Sequence, residues 1–244
     1  MKGEIYVYHY VNDKEFISHL KRYCGEIMQR LCHTLKEEYD IGSNFYLVGS
    51  GAKNLILQNE SNPIDLDYNL EIVRCEDFRD CRYIKECVRK AFNIVLNQFD
   101  WKDCNDSKSS LTTKTRRFTK GNHTEFSIDV CITKRDEKGN FYRLIHEKKD
   151  FKYKDKYYWN IAIVRNSERM SSFTYKDKYY WNIAPNSSKI KRKVDFIKGK
   201  GKWEMVREQY RNIKNRYLTH NDYNHPSFVC YIEAVNNVYN SIMD

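Results

Sequence analysis

The sequence predicts an α+β protein, in which a sheet with flanking helices is followed by a helical region. Segments typical of strands alternate with long amphipathic helices in the first 150 residues, whereas the C-terminal part shows helical periodicity. Aromatic residues make up 15% of the chain, more than disordered chains contain, so a folded globular protein is expected. We divide the 244 residues into a core domain at 1–150, a duplicated segment at 151–185 that forms an insertion or hairpin, and a C-terminal helical region at 186–244.

Long helices are predicted from apolar residues that recur at three- and four-residue spacing. The first spans 13–39, where Asp13 can cap the start, and a break at 41–44 follows it. A short helix is predicted at 50–58, directly after Gly49. The remaining predicted helices are 76–99, 187–199, 203–218 and a last one after Pro226.

The strands are predicted from apolar runs and from strict alternation. Residues 45–48 are continuously apolar and end at Gly49, as in a buried strand. In 64–70 and 126–130, apolar residues alternate with polar ones, which predicts strands with one polar face. The other predicted strands are 110–118, which is rich in Thr, and 141–145, which is entered through a hairpin at 138–140.

The decapeptide YKDKYYWNIA occurs at 153–162 and again, identically, at 175–184. Solenoids need at least three repeats, so a single exact copy indicates a local tandem duplication. Because two identical segments cannot fill one core position, we expect the second copy to be integral and the first to form an extra strand or loop. Its aromatic side chains, Tyr180 and Trp181 among them, are expected to pack between domains, with stacking on nucleobases as the alternative.

The formal net charge of +10 is unevenly distributed. Residues 134–220 contain 24 Lys and Arg against 10 Asp and Glu. A basic surface attracts phosphate-rich partners, so this region favours RNA or a nucleotide as the partner, and a plain solvated face is the alternative. Phosphate contact and solvation are equally consistent with the basic run at 189–202. Of the adjacent pair Arg116 and Arg117, alternation allows at most one to meet a triphosphate.

The sequence also excludes several classes of protein. No stretch approaches the ~20 apolar residues that a membrane span needs, and the N-terminus lacks the apolar run of a signal peptide. The eight cysteines contain no CxxC pair, which argues against a zinc ribbon or redox motif. We therefore expect a cytoplasmic protein without a membrane partner. Its oligomeric state is left open.

Three acidic residues carry the strongest chemical signal. Alternation places Asp65 and Asp67 on one face of a strand, and Asp129 lies on a later strand of the same kind. Adjacent strands would bring the three carboxylates together, where they repel one another unless cations bind. Ligands that are all oxygen suit Mg²⁺ or Mn²⁺, and two such ions can assist an in-line displacement.

A Gly-Ser turn supplies a complementary phosphate site. Gly49 lets the backbone approach a phosphate closely, and the helix that follows offers free N–H groups. Ser50 adds a hydroxyl, and Lys53, one turn into the helix, can pair with a phosphate.

Together these segments resemble the DNA polymerase β nucleotidyltransferase superfamily. The resemblance rests on Leu47-Val48-Gly49-Ser50, Ile64-Asp65-Leu66-Asp67 and Ile128-Asp129-Val130, and covers about residues 44–132. It implies a polymerase-β-like mixed sheet with helices on one face, in a nucleotidyltransferase core domain. It also implies that Asp65, Asp67 and Asp129 bind two metal ions, that Asp129 helps to deprotonate the acceptor, and that Gly49 and Ser50 hold the triphosphate. The gap of 14 residues between Ser50 and Asp65 is slightly longer than is typical, and an enlarged turn at 60–63 is expected to absorb it.

The function predicted from this resemblance is metal-dependent transfer of a nucleoside monophosphate from an NTP, with ATP as the expected nucleotide, to a hydroxyl acceptor. The acceptor is RNA, tRNA or another nucleotide. A small-molecule acceptor such as an antibiotic is an alternative, although aminoglycosides fit a basic surface poorly. A catalytically inactive nucleotidyltransferase fold that binds nucleic acid is the alternative from another class. Its binding would survive loss of the carboxylates and fall steeply with salt.

Overall fold

The computed structural model describes residues 7–148, 177–185, 190–220, 222 and 225–243. Its helices are α1 (Lys14–Tyr39), α2 (Gly49–Lys53), α3 (Cys81–Gln98), α4 (Lys191–Gly199), α5 (Trp203–Thr219) and α6 (Ser227–Met243). None of the helices within these ranges combines the length and apolarity needed to cross a membrane.

Most of the strands form one mixed seven-stranded sheet. The strands are β1 (Tyr8–Tyr10), β2 (Gly42–Leu47), β3 (Leu57–Asn59), β4 (Ile64–Arg74), β5 (Asn105–Asp106), β6 (Leu111–Thr112), β7 (Phe126–Arg135), β8 (Phe141–Glu147) and β9 (Lys178–Ile183). The sheet order is β2-β4-β7-β6-β5, and β8 pairs with β7 and with β9. Within the described part of the chain, β4 and β7 are the only parallel neighbours in this sheet, while β1 and β3 form a separate antiparallel ribbon.

Alternation along β4 and β7 gives the sheet one apolar and one polar face. The apolar set of these two strands is fully buried and packs beneath α1 and α3, forming the main core. It comprises Ile64, Leu66, Tyr68, Leu70, Phe126, Ile128, Val130 and Ile132. The polar side chains of these strands therefore lie on the other face of the sheet, away from α1 and α3.

The C-terminal helices form a second core that lies beside the polar face. Val206 of α5 and Val235 of α6 are fully buried in it, together with Ile197 of α4. Leu55, which follows α2, packs into the same cluster, so the N-terminal and C-terminal parts share a core at this point. Burial of this kind contributes roughly 1.5–3 kcal/mol for each large apolar side chain.

The α+β prediction with a mixed sheet and a C-terminal helical region is confirmed, and several element boundaries change. Strand β2 already begins at Gly42, inside the predicted break. The predicted helix at 50–58 is a single turn that ends at a left-handed Asn54. The residues of the long gap after Ser50 then form β3, which pairs with β1.

Two further elements are shorter than predicted. Helix α3 begins at Cys81 rather than 76, because Asp80 accepts a hydrogen bond from the backbone of Tyr83 and caps the helix there. The Thr-rich segment at 110–118 forms only the two-residue strand β6 and an isolated bridge at Arg116.

The second copy of the decapeptide contributes strand β9. This strand pairs with β8 in antiparallel register, and Trp181 donates a 2.7 Å hydrogen bond from Nε1 to the carbonyl oxygen of Phe78. The Lys134 Nζ lies 4.9 Å from the centre of the same indole ring. Trp181 thus packs inside the N-terminal domain. The first copy, at 153–162, lies outside the described residues.

Candidate active site

The polar face of β4 and β7 brings the three acidic residues together. In the parallel pairing of these strands, Asp67 lies directly opposite Asp129, and Asp65 lies opposite Ser127. Neighbouring strands are separated by about 5 Å, and Asp65 is two residues from Asp67 on the same face. The three carboxylates therefore occupy adjacent positions on one surface, as their alternation in the sequence predicts.

Burial disfavours the charged forms of Asp67 and Asp129. Burial, reinforced by the charges of Asp129 and Asp65, raises the pKa of Asp67 to about 6, and Lys53 opposes this rise. Burial also raises the pKa of Asp129, and the hydrogen bond from Thr112 counteracts it. Such an arrangement is stabilised when cations bind between the carboxylates.

Two hydroxyl groups hold the outer carboxylates. The hydroxyl of Ser127, which is almost fully buried, donates to Asp65 Oδ1, and the hydroxyl of Thr112 donates to Asp129 Oδ1. Within the described ranges, no three acidic, His or Cys side chains close around one point as a formed metal site would. The donor set itself, three carboxylates that repel one another, fits a hard divalent cation.

The Gly-Ser turn lies against the central carboxylate. Gly49 has a left-handed φ of +60°, and the backbone N–H of Val48 donates a 2.8 Å hydrogen bond to the carbonyl oxygen of Asp67. Helix α2 begins at this glycine, so its free N–H groups and Ser50 lie beside the carboxylates, along the cleft wall.

Lys53 stands between the turn and the C-terminal helices. Its Nζ donates a 3.0 Å hydrogen bond to the carbonyl oxygen of Gly49 and lies 5.0 Å from the ring centre of Tyr231 in α6. Burial lowers the pKa of this lysine, while the charge of Asp67 opposes the shift. The side chain thus braces α2 against α6 and also lines the cleft.

The opposite wall of the cleft comes from α5 and α6, and sequence analysis missed its residues. The Lys214 Nζ lies 3.3 Å from the hydroxyl of Ser227 and 4.7 Å from the ring centre of Tyr8. Ser227 is the first residue of α6, so Lys214 and a helix N-terminus meet there. Burial lowers the pKa of Lys214. Its position depends on how two helices meet, and nothing in the local sequence distinguishes it from the other lysines.

The cleft between these walls has a volume of about 1160 Å³. It extends beyond the carboxylates along β7 to Thr133 and to Arg143 of β8, which are paired across the two strands. The Nε of Arg143 is buried and has no hydrogen-bond partner among the described residues. The cleft therefore carries three carboxylates at one end, and Arg143 beside the ion pair of Glu71 with Arg135 at the other.

Of the residues that the structure describes, the other basic ones singled out in the sequence do not line this cleft. The guanidinium of Arg116 donates to the carbonyl oxygen of Phe99 and lies 5.9 Å from the ring centre of Trp101. In the basic run, Lys191 pairs with Asp195 at 2.8 Å, and Lys193 donates to the side chain of Asn236. Neither arrangement points to a triphosphate in the cleft.

Comparison by sequence alone finds no matching family model and no matching curated protein. Comparison by structure finds CdnC of Escherichia coli MS115-1, solved with ATP, at a TM-score of 0.51 and 15% identity. The match covers 93% of this chain and 61% of the CdnC chain. The complex of the same CdnC with HORMA-deltaN matches at a TM-score of 0.50 and 14% identity, covering 93% and 60% of the two chains.

A third match is DncV of Vibrio cholerae, described as a cyclic AMP-GMP synthase and a prokaryotic cGAS homologue. Its TM-score is 0.48 at 10% identity, with 84% of this chain and 60% of that chain covered. This chain spans less than two thirds of the length of each of these proteins. The similarity to CdnC shows that the chain has the polymerase-β-like nucleotidyltransferase fold.

Proposed function

We propose that the protein is a metal-dependent nucleotidyltransferase that transfers a nucleoside monophosphate from an NTP, with ATP as the expected donor, to the hydroxyl of a second nucleotide. The observation that carries the proposal is the pairing of Asp67 with Asp129 across parallel strands, with the Gly49 turn packed directly on Asp67. In this proposal, the carboxylates that bind metal and the turn that binds phosphate are in direct contact. The solved CdnC structure that contains ATP has the same fold and supports this assignment.

In this proposal, Asp65, Asp67 and Asp129 hold two Mg²⁺ or Mn²⁺ ions. Bound ions of this kind increase the acidity of the attacking hydroxyl and neutralise charge on the departing pyrophosphate. The carboxylates themselves would hold these ions on the polar face of the sheet, beside the Gly49–Ser50 turn. Ser127 and Thr112 keep one oxygen of Asp65 and of Asp129 engaged, so the second oxygen of each remains for a ligand.

The donor triphosphate is proposed to lie between two walls of the cleft that offer hydrogen-bond donors or positive charge. On one side are the N–H groups of the Gly49–Ser50 turn, and on the other are Lys214 and the N-terminus of α6. The acceptor hydroxyl forms a bond to the α-phosphorus, and the bond from that phosphorus to its bridging oxygen breaks. Pyrophosphate leaves, and Asp129 takes up the hydroxyl proton.

A nucleotide acceptor is favoured by the size and charge of the cleft. A typical small-molecule site measures about 300–1,000 Å³, and this cleft, at about 1160 Å³, has room beyond a single donor. Arg143 and Thr133 line its far end, where a phosphate or a base edge can be bound. Among the described residues, the basic run at 190–202 does not line this cleft, so the run gives no support to an RNA acceptor there.

The proposal is tested by incubating the protein with each labelled NTP and Mg²⁺ or Mn²⁺, without acceptor and with total RNA. Asp65→Asn is the inactive control, and Asp103→Asn, an exposed acid outside the cleft, is the matched substitution. Pyrophosphate release and a labelled nucleotide product without RNA are expected, both dependent on metal and on Asp65. Labelled RNA would identify an RNA acceptor instead. Metal-independent turnover, or turnover unchanged in Asp65→Asn, would contradict the proposed mechanism.

A further inference from the structure

The β5–β6 hairpin brings a hydroxyl to one of the three carboxylates. Strand β6 pairs with β7 so that Thr112 lies opposite Asp129, and the Thr112 hydroxyl donates to Asp129 Oδ1. A hydrogen bond of this kind fixes the rotation of a carboxylate and determines which oxygen stays available. The orientation of Asp129 therefore depends on where the hairpin places Thr112.

The hairpin is too short to hold that place by its own strand pairing. Each strand has two residues, paired as Asn105 with Thr112 and Asp106 with Leu111. In its turn, the backbone N–H of Ser107 donates a 3.0 Å hydrogen bond to the carbonyl oxygen of Ser110. An isolated two-stranded hairpin is at best marginally stable in water, so other contacts must fix this one.

Those contacts lie on the face of the hairpin that points away from the cleft. Lys85 of α3 is 1% exposed, and its Nζ lies 2.7 Å from Asp106 Oδ1 and 2.8 Å from the carbonyl oxygen of Ser107. His146 of β8 is also buried, and its Nδ1 lies 2.7 Å from Asp106 Oδ2. The backbone N–H of His146 donates to the carbonyl oxygen of Lys108 in the hairpin turn at 2.7 Å.

A buried ion pair is a poor source of net stability, because desolvation of both charges offsets their attraction. Burial indeed lowers the pKa of Lys85, and the charge of Asp106 acts against that shift. What such a pair provides is a defined position, because Lys85 Nζ contacts Asp106 Oδ1 as an ion pair and also donates a hydrogen bond to the carbonyl oxygen of Ser107. Here the arrangement ties the hairpin to α3 and β8, two elements of the main core.

We propose that Thr112 is a positioning residue for Asp129, and that the ion pair of Lys85 with Asp106 anchors the hairpin that carries it. The inference rests on the proposed function, because it concerns the carboxylate that would bind the cation. It assigns a role in metal binding to residues on the opposite face of the sheet from the cleft.

Mn²⁺ binding, measured by the electron paramagnetic resonance signal of free Mn²⁺, tests the proposal without requiring turnover. Thr112→Val keeps the shape of the side chain and removes the hydroxyl, and we expect affinity to fall about 10- to 100-fold. Thr112→Ser restores the hydroxyl and should recover most of the affinity. Thr219→Val, which removes a hydroxyl bonded to the carbonyl of Arg216 at the end of α5, is the matched control.

A double-mutant cycle tests the anchor. Asp106→Asn should weaken Mn²⁺ binding on its own, but should add little in the Thr112→Val background, because its effect passes through Thr112. A role confined to stability would lower the melting temperature and leave Mn²⁺ affinity unchanged. If the unmodified protein binds no Mn²⁺, the proposed function fails. If it binds Mn²⁺ and Thr112→Val binds equally well, the proposed function stands and this inference is overturned.

Discussion

Gly49 and Asp67 are packed so closely that residue 49 has no room for a side chain. A β-carbon built on Gly49 would lie 2.2 Å from Asp67 Oδ2 and 3.0 Å from its carboxyl carbon. The glycine also has a φ of +60°, a backbone conformation that residues with a side chain rarely adopt. The turn proposed to bind phosphate and the carboxylate proposed to bind metal therefore fix each other.

Gly49→Ala is expected to reduce nucleotide turnover by at least about 100-fold. The new methyl group must displace the Asp67 carboxylate, and misplacement by about 1 Å costs rates of that order. The left-handed backbone adds roughly 1–2 kcal/mol of destabilisation. Steady-state pyrophosphate release and thermal melting measure the two effects separately.

Gly121→Ala is the matched control for this change. Gly121 has a φ of +80° with open space around its α-carbon, so it carries the backbone penalty without the clash. Its melting temperature should fall by a similar amount while turnover is retained. Equal losses of turnover in both variants would attribute the effect to stability and contradict a role for the packing of Gly49 against Asp67.

The main elements of this site were predictable because strand alternation is a local property of the sequence. The alternation of Asp65 and Asp67 with Leu66 and Tyr68 determines the face of β4, and the same pattern determines the face of Asp129. What alternation cannot give is the partner of a strand. The pairing of Asp67 with Asp129 is a tertiary relationship, which alternation permits and the family resemblance favours.

Asp67→Asn is expected to abolish metal-dependent turnover and to raise the melting temperature of the metal-free protein at neutral pH. Burial and the neighbouring Asp129 and Asp65 raise the pKa of Asp67 to about 6, above its ordinary value of 3.8, so the ionised form destabilises the fold. Replacing it with a neutral amide should stabilise the protein on the order of 1–3 kcal/mol. That corresponds to a few degrees for a chain of this size.

The pH dependence of the stability gained by Asp67→Asn tests independently whether the ionised Asp67 destabilises the fold. Because the folded pKa lies above the unfolded one, the native carboxyl stops destabilising the protein as the pH falls through about 6 towards 4. The advantage of Asp67→Asn should be largest near pH 7.5 and disappear near pH 4. Saturating Mg²⁺ should stabilise the unmodified protein and not the variant. A variant that melts lower at every pH would make Asp67 a structural residue.

Lys214→Met is expected to raise the KM for the donor NTP about 10-fold or more. A charged hydrogen bond to a phosphate is worth roughly 1.5–3 kcal/mol, and Lys214 is the lysine that meets the α6 N-terminus across from Ser50. Lys191→Met removes a lysine of the basic run that is exposed and paired with Asp195, and should leave KM unchanged. A raised KM in Lys191→Met with an unchanged KM in Lys214→Met would indicate that the triphosphate binds at α4 instead.

The residues that sequence analysis missed share one property, which is that their positions depend on contacts distant in the chain. Thr112 lies on a two-residue strand whose pairing has no periodic signal, and Lys214 reaches the cleft only because α5 and α6 pack against each other. Arg143 is one of many basic residues until β8 pairs with β7. Local patterns therefore identified the carboxylates and the turn, while the opposite wall required the tertiary structure.

Deletion of residues 153–174 is expected to leave a folded and active protein. The variant keeps one complete decapeptide, at 175–184, and with it the pairing of β9 with β8 and the hydrogen bond from Trp181 to Phe78. Shortening the connection from β8 to β9 roughly fourfold changes the closure entropy by only about 1 kcal/mol. The melting temperature should therefore stay within a few degrees, as differential scanning calorimetry would show.

Trp181→Ala in this single-copy variant determines whether β9 is an integral strand. Only there is the decapeptide unique, so no second copy can supply the same side chains. Loss of a large aromatic side chain costs about 3–5 kcal/mol when it is fully buried. Trp181 is half-buried, so a smaller but clear drop in melting temperature is expected. A deletion variant that unfolds would show that residues 153–174 stabilise the fold, and an unchanged Trp181→Ala would show that β9 does not.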